Sequence, residues 1–557
     1  MTRRWLVRRG LLGALAWLAA AAPAASAASV PPSPGLLRSL AAFERDLSVL
    51  DGALNGGGAT ASPPFNRADP ALQAPPPAAV PASTAQMQQQ ERRLSLPQAL
   101  AVAVANNPEL AERRARIEEM RGLQRSVQGR FWPQLGLNLA GAFSQRSDHN
   151  LALDGNAGLY PPGSPFLVQS GGWQHIQSNL SNAWGSLTLD WELLSFERGA
   201  ALAEQDQRLT AALEHYGDAL RQVQLQVSEA YYNLQLADHW QRIRAAVLRN
   251  DVLVRDQVGA LKRAGLVPRL DLLRAEASLQ QSRFRLEQAE AMRLSRRQAL
   301  TQLLNVAFGT VLLAETRVEL LPAWPLPLDG TVVAGLTANP ALDQLAAERQ
   351  ALLRQADRRR AQLLPGLQLF LAGGGGTDVL TKPVIDLNGC CGASNLRQLA
   401  NQNADWVAGL RLHWRFFDAG VSTGEAAASQ AAAAAVLQRL ARQRNQIRQE
   451  LETAFYDYRA SLRQLAAAEA AYRASREAFR DARARYQLGL ADYTDVSETI
   501  VLLTRSLEGI AESTTLANLS YARMLRQLQP VADQPRQDSS LPITLQAAQV
   551  GPLQPRR

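Results

Sequence analysis

The sequence predicts a chain of long coiled-coil helices joined to short strands of the kind that line a membrane β-barrel, set in two duplicated halves. Three observations carry this. Two stretches of more than sixty residues, about Glu197 to Arg263 and about Gly424 to Gln487, contain no proline and have a helix-compatible composition. Four short segments alternate apolar and polar residues, and a set of motifs occurs twice in the same order.

The chain begins as an export signal reads. Arg3, Arg4, Arg8 and Arg9 precede an apolar run, Leu11 to Ala22, and Ala25-Ser26-Ala27 supplies small residues for cleavage, so 1–27 is assigned as a signal peptide. Residues 28–93, with Pro75-Pro76-Pro77 and Gly56-Gly57-Gly58, read as a Pro/Ala-rich tether too poor in apolar surface to fold. A first repeat follows over 94–329 and a second over 330–529, and 530–557 reads as a disordered tail.

The repeats are visible as echoes. Asn107-Pro108-Glu109-Leu110 returns as Asn339-Pro340-Ala341-Leu342, and Trp132-Pro133-Gln134-Leu135 as Leu364-Pro365-Gly366-Leu367. Ala230-Tyr231-Tyr232-Asn233 returns as Ala454-Phe455-Tyr456-Asp457, and Gly265-Leu266 with Asp271 as Gly489-Leu490 with Asp495. Units this large are duplicated halves rather than a short-period solenoid.

At 1.5 Å per residue each proline-free helix runs roughly 90–100 Å, a length that calls for coiled-coil packing. Leu451, Tyr458, Leu465, Tyr472, Phe479 and Tyr486 recur every seventh residue, and Ala454, Ser461, Ala468, Ser475, Ala482 and Gly489 follow each by three. Large knobs and small holes thus alternate along one left-handed seam. Val496, Leu503, Ile510 and Met524 continue the pattern with Thr499, Ser506, Ser513 and Ser520, and Leu272, Leu279 and Leu286 pair with Ala275, Ser282 and Ala289.

In the alternating segments Leu135, Leu137, Leu139 and Phe143 oppose Gln134, Asn138 and Ser144, and Leu187, Leu189, Trp191 and Leu193 oppose Ser186, Thr188, Asp190 and Glu192. Leu367, Leu369 and Leu371, then Leu410, Leu412, Trp414 and Phe416 against Arg411, His413 and Arg415, repeat the pattern. Strands of about ten residues with one apolar and one polar face suit a transmembrane barrel. Trp132, Trp184, Trp191 and Trp414 suit an interfacial girdle. Gly373 to Gly376 reads as flexible linker. Four strands cannot close alone, and lipid tolerates no open edge, so closure requires two or more chains.

Composition removes other classes. Beyond the leader no stretch approaches the roughly eighteen apolar residues of a membrane helix. The net charge of +9 comes mostly from arginines spread among glutamates along helical faces, with Lys only at 262 and 382, so nucleic acid is not a partner. The two cysteines, Cys390 and Cys391, are adjacent; they form either a strained vicinal disulfide or, more simply, an incidental loop pair. The five histidines lack the close helical spacing of a zinc site, no Gly-rich loop leads to Lys-Ser or Lys-Thr, and no catalytic constellation, metal site or cofactor is expected.

The ordering resembles the outer-membrane efflux protein family, TolC-like, over about Leu94 to Leu528. The resemblance rests on Ala105-Asn106-Asn107-Pro108, the helix-to-strand step at Trp132-Pro133, the duplicated halves, and the Gly-Leu turns between long helices. It implies a homotrimer in which a 12-strand barrel in the outer membrane stands on a periplasmic α-barrel. It also implies a periplasmic adaptor and an inner-membrane pump as partners, outer-membrane lipid as surroundings, and drugs, metals or polypeptides as cargo. The chain is then the passive exit channel of a tripartite efflux or type I secretion system. A non-pore periplasmic coiled-coil scaffold is the alternative.

The helix–helix turns concentrate the candidate residues. Gly265 and Gly489 end long helices, and Pro268 suits the start of a return helix. Asp495 and Glu498 share one face of a first turn, where acids complement the helix dipole. The resemblance adds that they line the pore constriction as a negative ring, that Tyr486, Asp271 and Arg269 are gate candidates, and that Gly265, Leu266, Gly489 and Leu490 contact the adaptor. Ala491 stands where the best-known members of the family carry an arginine, so the closing link differs.

Overall fold

Ser95 starts the first helix: its N–H donates to Gln98 Oε1 at 2.9 Å, closing a capping box over α1 (Leu96–Asn106). Asn107 ends that helix and starts the next. Its Oδ1 accepts from the N–H groups of Glu109 and Leu110 at 2.9 and 3.3 Å, and Pro108 opens α2 (Pro108–Gly129). Asn339 caps the helix Pro340–Ala361 in a similar way, its Oδ1 accepting from the Ala341 N–H at 3.1 Å. In a computed structural model the described residues are 68–77, 90–151, 173–265, 267–315, 318–337, 339–386, 398–487, 493–528 and 542–545, all within the unit Thr60–Arg557. The signal peptide, most of the tether and tail, Cys390 and Cys391 lie outside them.

In chain order β1 (Gln90–Leu94), α1 and α2 lead to β2 (Gln134–Leu151) and β3 (Trp173–Leu194). The helical hairpin α3 (Phe196–Arg263) and α4 (Arg269–Leu304) follows, then β4 (Thr310–Ala314). The second half gives α5 (Leu328–Thr337), α6 (Pro340–Ala361), β5 (Gly366–Asp386), β6 (Gln398–His413), α7 (Val421–Gln487) and α8 (Tyr493–Leu528). The two long helices hold 68 and 67 residues. Each would extend about 100 Å at 1.5 Å per residue.

The helices pack by the predicted seams. Leu451, Tyr458, Leu465, Tyr472 and Phe479 are buried along α7, with Ala454, Ser461, Ser475 and Ala482. The small positions let helices meet closely: Ser475 and Ser506 share a hydroxyl hydrogen bond at 3.0 Å across α7 and α8. In the first hairpin Ala275, Leu279, Ser282, Leu286 and Ala289 form the buried stripe of α4.

The short helices complete the long ones. Asn107 Nδ2 reaches the Leu303 carbonyl at 3.5 Å, and Asn305, in the left-handed region at φ 44°, donates to the Asn106 carbonyl at 3.0 Å. The end of α4 therefore abuts the start of α2, forming a spliced column against α3. In the second half Asn339 Nδ2 donates to Gln527 Oε1 at 2.8 Å, splicing α8 to α6. The doubled Asn-Pro motif is this splice.

Around the splices a girdle forms. β1 pairs parallel with β4, and α1 packs on α3 through a core that includes Leu100, Leu110, Val227 and Leu312. Tyr231 ties α3 to this sheet: its hydroxyl donates to the Leu94 carbonyl at 3.0 Å and accepts from Glu315 N–H at 3.1 Å. A second core joins Trp324, Leu451, Tyr458, Tyr521 and Met524.

Four expectations need correction. Part of the tether is ordered: residues 90–93 lie in β1, Ala71 and Leu72 are buried, and Arg92 pairs with Asp69 at 2.6 Å. In the tail Leu545 is buried and its N–H donates to Tyr521 at 3.0 Å. A few apolar residues docked on an existing core need no core of their own, which is why composition misleads here. The strands have 18, 22, 21 and 16 residues rather than about ten. Alternation stops where both faces turn polar, as in the row Gln145, Asn179, Thr381 and Gln398, but backbone pairing does not.

The third correction is that Gly373 to Gly376 is no linker; it lies inside β5, paired on both sides. A Cβ at Gly374 would stand 2.5 Å from the Gly185 carbonyl oxygen, so the run permits close strand approach. Fourth, Trp414 and Phe416 lie beyond the end of β6.

Candidate functional site

The four long strands form one antiparallel sheet in the order β2-β3-β5-β6, and its register sorts the side chains. Leu135, Leu189, Leu371 and Ala408 make one row, Leu137, Leu187, Gly373 and Trp406 the next, and Trp191, Leu369 and Leu410 a third on the same face. The other face carries Gln134, Asp190, Phe370 and Gly409, then Asn138, Ser186, Gly374 and Asp405, then Ala142, Asn182, Asp378 and Asn401. The apolar face is uncovered: Leu137 is 67% and Leu187 57% exposed. Trp184 pairs with Ala140, Gly376 and Asn403, so it stands on the polar face and not in an apolar girdle.

The junction between sheet and helices is held the same way in both halves. Trp191 Nε1 donates to the Phe131 carbonyl at 3.1 Å, and Trp414 Nε1 to the Leu363 carbonyl at 3.0 Å. Each indole closes a carbonyl left open where a helix passes into a strand. In the first half Arg198 adds bonds to the carbonyls of Arg130 and Glu192 at 2.8 and 2.6 Å, with its guanidinium 4.1 Å from the centre of the Phe131 ring.

At the far end of the helices the two hairpins share one apolar cluster, in which Val258 and Ala275 of the first meet Phe479, Ala482, Val496 and Ile500 of the second. On this side of the girdle, two polar links cross between them among the described residues. Arg274 Nη1 donates to Thr494 Oγ1 at 3.1 Å, and Arg244 pairs with Glu508 at 3.1 Å while donating to the Arg285 carbonyl at 3.3 Å. Inside the first hairpin Asp251 accepts from Ser282 at 2.5 Å and Ser278 at 3.3 Å. Burial raises its pKa above the usual carboxylate value, and the two hydroxyls and Arg285 offset part of that.

The profile of the outer membrane efflux protein family matches this chain in two blocks, residues 99–306 and 334–528. The chain belongs to the outer membrane efflux protein family. Its solved relatives share the fold. The outer-membrane channel OprN superposes with a TM-score of 0.59 at 20% identity, covering 84% of this chain and 99% of that one. VceC from Vibrio cholerae gives 0.59 at 16% identity, covering 78% and 95%. The CmeC channel of Campylobacter jejuni gives 0.59 at 14%, covering 86% and 96%. Among curated proteins, CyaE of Bordetella pertussis is 26% identical over 286 residues, which is 50% of this chain and 54% of that relative, so the match spans about half its length. Membership places the chain in the outer membrane with its helical tube in the periplasm.

Within the family frame the sequence-predicted residues fall as follows. Asp495 on the first turn of α8 and Glu498 on the second are both exposed, on either side of buried Val496. Gly265 ends α3 at φ +76°, a backbone that glycine adopts without strain, and its N–H donates to the Lys262 carbonyl at 3.0 Å. Arg269 is exposed and Asp271 buried on the first turn of α4. Tyr486 lies in the last turn of α7, and Leu266, Gly489 and Leu490 lie outside the described residues. Toward the tip, the described links that join the hairpins instead use Arg274, Thr494, Arg244 and Glu508. No periodicity marks them, because they pair residues more than two hundred positions apart. Among the described residues no helix is long and apolar enough to cross a membrane, and no group of three or more metal-ligating side chains converges.

Proposed function

We propose that three copies of this chain close their sheets edge to edge into a twelve-strand barrel and serve as the passive exit channel of a tripartite export system. The observation that carries this is the sheet: an exposed apolar face, a polar opposite face, and two edge strands, β2 and β6, with one neighbour each. Lipid covers the apolar face, water fills the polar side, and pairing between copies removes the edges. Leu135 to Phe143 spans eight steps, about 27 Å of strand or roughly 20 Å of height at a 40° tilt, close to the apolar band of outer-membrane barrels.

The remaining assignments follow from this arrangement. Asp495 and Glu498 line the periplasmic mouth, with Arg269, Asp271 and Tyr486 close to the gate. The turns at Gly265, Leu266, Gly489 and Leu490 dock the periplasmic adaptor, which couples the channel to an inner-membrane pump. Cysteine labelling in intact membranes tests the barrel. Ser186→Cys, Thr188→Cys and Asp190→Cys react with a small water-soluble thiol reagent, and Leu187→Cys and Leu189→Cys do not. Equal labelling of both sets defeats the barrel. A protein released by salt instead of detergent supports the scaffold reading.

A further inference from the structure

Beyond the apolar rows, at the end of the sheet farthest from the helices, two of the five histidines meet. His149 on β2 and His175 on β3 are direct cross-strand partners. Their rings stack with centroids 4.1 Å apart and planes 11° from parallel. Both Nε2 atoms turn to the same point: His175 Nε2 lies 3.0 Å and His149 Nε2 3.3 Å from Ser147 Oγ. Asp386 holds the register position opposite His175 on β5.

We propose that His149 and His175 form an open binding site for a divalent late first-row metal ion, with Cu²⁺ the tightest and Ni²⁺ and Zn²⁺ following. The chemistry rests on convergence. An imidazole nitrogen binds such ions in its ring plane at about 2.0–2.1 Å, so the two rings, now 11° from parallel, must turn out of their stack for both Nε2 atoms to share an ion in the place of the hydroxyl they both approach. Strand pairing holds the two ring-bearing backbones in fixed register, so binding costs little ordering. Water supplies the remaining positions. The ring nitrogens are exposed enough to exchange ligands, since His149 is exposed and His175 half-buried.

Position adds a consequence. His149 is six residues past Phe143, about 20 Å farther along the strand. The pair therefore stands clear of the apolar band, on the same face as Leu137. That this end meets the cell exterior rests on the channel reading; metal binding does not. A bound ion would clip β2 to β3 at the outer rim.

The test uses the full-length protein in detergent, with Cys390→Ser and Cys391→Ser in every variant to remove thiol binding. Titration with Cu²⁺ gives one strong site per chain. His149→Ala and His175→Ala each weaken it about tenfold or more, because each removes one of two protein ligands. His413→Ala, a histidine at the opposite end of the sheet, leaves it unchanged. Electron paramagnetic resonance of the unmutated pair shows two coordinating imidazole nitrogens, a readout independent of whether the variants insert. One nitrogen, or equal loss in all three variants, overturns the site. Conductance of the same preparation in planar bilayers separates failure of the site from failure of the channel reading.

Discussion

Arg274 donates to Thr494 across the gap between the two hairpins, and this bond joins the second turn of α4 to the first turn of α8. A hydrogen bond of this kind contributes about 0.5–1.5 kcal/mol, which shifts a closed-to-open ratio by about two- to tenfold. Arg274→Ala and Thr494→Val should each raise the mean conductance of the resting channel in planar bilayers. The double variant should match the singles, because one bond is lost in every case. Additive increases would mean that the two side chains act separately.

The acidic pair on α8 makes a second prediction. In the proposed trimer, three copies would place six carboxylates around one axis, where low-dielectric walls focus their field. The channel should select cations, and a multivalent cation added from the periplasmic side should block it. Asp495→Ala with Glu498→Ala should remove the block. A pure dipole role predicts a different outcome: a loss of about 0.3–1 kcal/mol per acid with the block intact. Block and thermal midpoint measured on one sample decide between them.

Asp251 links the hairpin to pH. Burial raises its folded-state pKa, so the ionised form costs stability and protonation restores it. Its contribution is complete below the unfolded value near 3.8 and is lost as pH rises through the higher folded value. Asp251→Asn should therefore raise the thermal midpoint at neutral pH, with the advantage shrinking on acidification. A midpoint gain independent of pH would argue for a packing effect.

The glycine run in β5 can be probed by adding volume. Gly374→Val places a side chain against the Gly185 carbonyl and Ser186, a clash of the kind that costs about 1–3 kcal/mol. The yield of folded, heat-resistant oligomer in the membrane should fall. Gly122→Ala on α2, where a Cβ meets nothing within 4 Å, should hold or gain stability by about 0.5–1 kcal/mol. A normal yield for Gly374→Val would mean that β3 and β5 pair less closely than described.

Much of this was legible in residue patterns because the patterns report local physics. The seam from Leu451 to Phe479 is a heptad read directly off the chain, and the long helices end within a few residues of the proline-free stretches. Asn107 and Asn339 were visible as echoes of one motif, though their role as splices required Asn305 and Gln527, which no local pattern points to. The strands were found only where one face is apolar; past Phe143 the polar rows carry no alternation to read. His149 and His175 looked scattered because 26 positions separate them in sequence, and only the register brings them together. The docked pieces near Leu72 and Leu545 depend on cores built elsewhere, so their own composition says little.

The splices divide the tube mechanically. Each long helix runs uninterrupted, while its neighbouring column is cut at the girdle, where side-chain hydrogen bonds and the buried Leu304 and Met524 replace a continuous backbone. A break of that kind lets the upper and lower segments of a column differ in direction, which a continuous helix resists. On the proposed channel reading, a displacement at the periplasmic tip would be taken up at Asn305 and Asn339 before it reached the register of the strands.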